Sequence, residues 1–166
     1  SSKKLSAMAD VLWLERNVLE ALLFRLVEAN LILVAEETRF VPQALAEVED
    51  VVARLRGAES QRRNVADSLA SEIGMASGEL TLDYLAANLA EPARFVFEGH
   101  REGFLRLAGE IERITVENRR LASRAMQNIT QNIDTLLGGQ PAPTTYNARG
   151  RPSSSTSSPV RLDEVM

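Results

Sequence analysis

Cysteine is absent from these 166 residues, histidine occurs once, and aromatic residues make up only 5%. Without cysteine there is no disulfide framework, no thiolate metal site and no cysteine nucleophile. A reducing compartment fits that usage. The lone histidine, His100, leaves any metal to carboxylates. Glu98 stands two residues from it, so the Glu-x-x-His spacing of a di-iron bundle is missing. Glu36 and Glu37 are adjacent and point to different sides of a helix. Gly-x-Ser-x-Gly and phosphate-cradling glycine loops are also missing. An enzyme is therefore not expected, nor a cofactor or metal.

Long hydrophobic runs are missing too. The most apolar stretch, residues 31–35, is far too short to span a bilayer. No n-region, h-region and cleavage-site arrangement opens the sequence. Stable membrane insertion is not expected, and the cytoplasm is the expected compartment. A net charge of −4 makes a poor polyanion binder. Arg113, Arg119, Arg120 and Arg124 alternate with Glu110, Glu112 and Glu117, the pattern of a solvated helical face, so no nucleic-acid partner is expected.

What is present is helical periodicity. Over residues 5–37, Leu5, Met8, Leu12, Leu19, Leu22, Leu26, Ala29 and Leu33 hold heptad spacing, interrupted by Glu15. Val11, Leu14, Val18, Leu23, Val27, Leu31 and Val34 widen that surface, which predicts a helix covered on more than one side. Pro42 breaks the chain and suits the first turn of a second helix. That helix carries Leu45, Val48, Val52, Leu55, Ala66, Leu69 and Ile73, with Glu59 and Arg62 as an oppositely charged i, i+3 pair on the seam. Gly74 fits a C-cap, and Thr81 caps a short helix over residues 82–89.

The longest helical reading runs over residues 92–137. Phe97, His100, Phe104, Leu107, Ile111, Ile114, Asn118, Leu121 and Ala125 alternate by three and four along one side. Gly99 and Gly103, one turn apart, leave room for a close neighbour. Past Ala125 the pattern changes. Asn128 and Asn132 take the seam while Met126, Ile129, Ile133 and Leu136 form a displaced stripe, a stutter that signals a change of partner.

The expected fold is all-α: an elongated antiparallel helical bundle or coiled coil of three long helices plus one short helix, with a disordered C-terminal tail. Residues 1–137 form the helical domain. Residues 138–166 form a Ser-, Pro- and Gly-rich tail with two islands, residues 146–151 and 160–165. With catalysis and polyanion binding set aside, binding through helical surface remains. The alternative is a structural coiled-coil protein acting by self-association. A monomer or weak dimer is expected for a binding protein.

In order along the chain, four sets of residues carry a resemblance. They are the Leu-rich first helix running into Ala35, Glu36, Glu37, Thr38 and Arg39, and the segments 48–52 and 59–63. The short helix over 80–86 comes third, and residues 117–121 with the Tyr146 to Gly150 island complete the set. Together they resemble the FlgN family of flagellar export chaperones. The resemblance implies a non-enzymatic chaperone of flagellar type III export. It would bind the C-terminal helical segments of the hook–filament junction proteins FlgK and FlgL, prevent premature assembly and deliver them to the export gate protein FlhA. By position, client binding falls on Leu121, Ala125, Met126, Ile129, Ile133, Leu136 and Leu137, and gate docking on Tyr146. The Ser-rich insert after Arg151 departs from shorter members of the family.

Overall fold

The computed structural model describes residues 2–138. Four α-helices, α1 (Ser2–Val34), α2 (Val41–Ile73), α3 (Leu82–Asn88) and α4 (Ala93–Gly138), account for most of them, with a short 3-10 turn at Thr38–Phe40. No strand occurs among the described residues. The chain divides into two compact units, Ser1–Leu121 and Ala122–Met166.

Each boundary has a local cause. α1 ends three residues before its expected end. Glu36 takes a left-handed conformation (φ 58°), and its amide and that of Glu37 donate back to the carbonyls of Leu33 and Ile32 at 3.1 Å each. This is the crossed hydrogen-bond pair that closes many helices, with glutamate where glycine is usual. α2 ends the same way on Gly74 (φ 77°), whose successor Met75 donates to Ala70 O at 2.9 Å. Pro42 sits in the first turn of α2, where its missing N–H has no helical partner to lose. The Thr81 hydroxyl accepts from the Tyr84 amide at 3.1 Å and caps α3.

In the first unit α1 and α2 run antiparallel and α4 follows the direction of α1. Met8 and Leu12 share one apolar cluster with Leu69, Ala70, Leu80, Leu85 and Phe97. Val18, Leu22 and Leu26 form a second cluster with Val51 and Ala58, against which Ile111 and Ile114 pack. Between the two, along all three helices, lies a polar layer containing buried Glu15 and His100.

Two expectations are corrected. The buried face of α2 is Ala44, Val51, Ala58, Leu69 and Ala70. Over its first half this is one residue away from the expected seam, leaving Leu45 56% exposed. Small side chains seven apart at 44, 51 and 58 let α1 approach closely, which a leucine at the contact would prevent. Second, the flanks of α1 are covered only in part: α2 and α4 both pack on it, Val18 is buried and Val11 and Leu23 are half-buried, but Leu14, Val27, Leu31 and Val34 are exposed, as are Trp13 and Phe24. Two neighbours leave the outward side of a helix to water, however apolar it is.

Leu107 is fully buried whereas Leu105, two residues away, is exposed. Leu107→Ala should cost about 2–5 kcal/mol in denaturant unfolding, and Leu105→Ala no more than about 0.5 kcal/mol.

Candidate binding surface on the long helix

The seam of α4 begins as core. Phe97, His100, Gly103 and Leu107 are buried, Phe104, Ile111 and Ile114 are half-buried, and Leu121 remains half-buried at the end of the first unit. Polar contacts fix this part of α4 on α1. Asn118 donates through Nδ2 to the Leu26 carbonyl at 2.9 Å and accepts from Asn30 Nδ2 at 3.0 Å. Because Leu26 O is a helix carbonyl with a second lone pair to offer, the amide is satisfied without disturbing α1.

The polar layer places its ionisable groups against one another. Arg62 Nε donates to Glu15 Oε2 at 2.6 Å. Arg62 therefore bonds across to α1, correcting the expected pairing with Glu59 on its own helix. Burial pushes the Glu15 carboxyl above the usual carboxylate range. Arg62 pulls it back down, and nearby Glu59 adds to the rise. Arg16 reaches from α1 to His100, with Nη1 3.3 Å from Nδ1, and its guanidinium lies 5.2 Å from the Trp13 ring centre. Burial, and secondarily the Arg16 cation, hold His100 below the ordinary imidazole value, so at neutral pH Nδ1 is an acceptor for Arg16. A Cβ added at Gly103 would lie 2.5 Å from the Arg16 guanidinium, so this glycine makes room for a side chain rather than for a helix. Gly99 has no such neighbour.

Glu15 and Arg62 also line a cavity of about 340 Å³ whose apolar wall includes Met8, Leu12, Leu80 and Phe104. The carboxylate there is engaged by its guanidinium. His100 faces Arg16, Trp13 and Phe97. Among the described residues no cluster of three metal-capable side chains occurs, and no helix is long and apolar enough to cross a membrane.

The second unit contrasts with this core. In residues 122–138 only Ala125 is half-buried, and every other side chain is exposed. Met126 is 64% exposed, Ile129 44%, Ile133 48%, Leu136 84% and Leu137 64%, so five large apolar groups meet water on one segment. Met126, Ile129, Ile133 and Leu136 recur by three and four and share a face. Asn128 and Asn132, which take over the seam position, are exposed as well. Thr130 and Thr135 turn their hydroxyls back onto the carbonyls of Met126 and Gln131 at 3.0 and 2.9 Å. Arg124 and Asp134 are the segment's two charged residues. Tyr146 lies outside the described residues.

Sequence reasoning singled out neither Arg16 nor Asn30, and it paired Arg62 with the wrong partner. A signal for the last existed. Glu15 and Arg62 are equally distant from the middle of the connection near residues 38 and 39, as are the cluster partners Met8 and Leu69.

The His100 environment has a sign that can be tested. With its folded-state value below its unfolded value, the native protein binds fewer protons than the unfolded chain in the window just below pH 6.5. His100 therefore makes stability rise with pH up to about 6.5, while raised Glu15 acts oppositely from about pH 4.5 upward. His100→Gln should remove the rise of unfolding free energy with pH that His100 contributes just below pH 6.5, making the slope there more negative than in the wild type; an unchanged slope in urea titrations would refute it.

In comparisons with known proteins, a family model described as FlgN protein matches residues 4–154. No curated protein and no solved structure matches the chain.

Proposed function

Because this chain belongs to the FlgN family, a family of flagellar export chaperones rather than enzymes, we propose that its exposed α4 stripe is the client-binding surface. In this reading Leu121, Ala125, Met126, Ile129, Ile133, Leu136 and Leu137 receive the C-terminal helical segments of FlgK and FlgL. Those segments carry apolar stripes meant for a helical layer of the filament, and cover keeps them from assembling early. Tyr146, in the tail that follows the helical domain, docks the loaded chaperone on FlhA at the cytoplasmic face of the export gate.

One observation carries the proposal: five large apolar side chains, between 44% and 84% exposed, stand on a segment with only two charges. Such a face is costly unless something covers it, because fully burying one such side chain contributes about 1.5–3 kcal/mol. Ordering a client segment offsets about 2–5 kcal/mol of the gross gain. The balance suits a complex that must later release its cargo. Flexible Met126 and small Ala125 suit a face that meets more than one client sequence.

Ile133→Asp should weaken binding of a purified FlgK C-terminal segment at least tenfold in calorimetry while leaving helicity and melting unchanged. Unfolding of the variant would instead make Ile133 a core residue. Tyr146→Ala should leave FlgK affinity unchanged and lower FlhA affinity severalfold; equal FlhA binding by mutant and wild type would refute the gate assignment. Self-association through the same stripe is the rival reading, and a concentration-dependent dimer in sedimentation would favour it.

A further inference from the structure

The second unit pairs an uncovered stripe with the chain that follows it. Five large apolar side chains occur after Gly138: Tyr146, Val160, Leu162, Val165 and Met166, so four of them fall within residues 160–166. Leu162, Val165 and Met166 stand at i, i+3 and i+4, the spacing that puts them on one side of a single helical turn. The island's only base, Arg161, comes near its start, and Asp134 is the only acid of residues 122–138, beside the C-terminal end of the stripe.

We propose that residues 160–166 are a tethered occupant of the α4 stripe, lying antiparallel to it and shielding it until a client displaces them. The proposal rests on the client reading given above. An antiparallel return brings Arg161 to Asp134 and sets Leu162 over Ile133 and Val165 with Met166 over Ile129, a helical turn of about 6 Å that covers the C-terminal part of the stripe. The opposite direction would turn Arg161 toward Arg124, and Asp163 and Glu164 toward Asp134, setting like charges together. The dimensions agree. From Met126 to Leu136 the stripe is about 15 Å long at 1.5 Å per residue. A random-coil segment of 21 residues, the number from 139 to 159, would have a root-mean-square span of about 25 Å, a length that reaches back to the stripe without stretching. A tether of that length holds its end at an effective concentration of about a millimolar. An intrinsic affinity as weak as a millimolar therefore keeps the stripe covered about half the time. The island serves as cover that any better-matched apolar helix expels.

The absence of cysteine makes the test direct. In the full chain, Ser157→Cys takes a single nitroxide label, and amide signals are read by NMR. Signals of residues 126–137 should be broadened severalfold more than those of residues 93–110, and Leu162→Asp should remove the difference. Equal broadening of the two segments overturns the proposal. Broadening that is just as strong when label and isotope are on different molecules also overturns it, in favour of contact between copies. Arg161→Asp should weaken the effect and Arg161→Asp with Asp134→Arg should restore it. In the second arm Leu162→Asp should raise FlgK-segment affinity about two- to tenfold. Broadening at the stripe with no change in FlgK affinity upholds the docked island and counts against the client reading instead.

Discussion

The ion pair between Glu15 and Arg62 is the constraint on which the rest of the bundle depends. Heptad-spaced leucines, valines and alanines tolerate sliding: moved by one heptad, α1 and α2 would still bury apolar faces against each other. A nearly buried carboxylate does not tolerate it. Slipped away from Arg62, Glu15 would be left desolvated without a counter-charge, at a cost of about 3–5 kcal/mol. The pair adds little net stability over an apolar replacement. Its contribution is a penalty on other registers: the pair joins α1 to α2 at one point, and the apolar clusters on either side lie in the register that this point sets.

Next to it, Arg16, His100 and Gly103 apply the same principle to α4. The Arg16 guanidinium needs an acceptor and a space. The neutral imidazole supplies the first and the missing Cβ of Gly103 the second. Farther along, Asn118 fastens α4 to a backbone carbonyl of α1, a partner that side-chain substitution on α1 does not remove. Three polar devices, spaced through an otherwise apolar interface, thus set the positions of three helices. The apolar residues supply the driving force and the polar ones choose among the arrangements it would allow.

Periodicity made the helices legible because each long helix repeats its signal many times. α3 was legible through its threonine cap, Thr81. The buried face of α2 was not, because Leu45 outranks Ala44 on any hydrophobicity scale while the close approach of α1 selects the smaller residue. The end of α1 was missed because Glu36 is a poor advertisement for a left-handed turn. Cross-helix polar pairs need a register before they can be named, and a register is a tertiary quantity. On α4 the change of pattern past Ala125 coincides with a change from half-buried seam to exposed side chains. The seven residues assigned there as client contacts, and Tyr146 beyond them, came from the family resemblance and not from the count of spacings.

Glu36 also has a bearing on how the hairpin tip would answer to substitution. A non-glycine residue in the left-handed region costs about 1–2 kcal/mol relative to its helical alternative. The amides of Glu36 and Glu37 offset part of that by satisfying the carbonyls of Leu33 and Ile32. A glycine at position 36 would keep both bonds without the steric cost. The tip of this hairpin therefore holds a reserve of stability that one exchange would release.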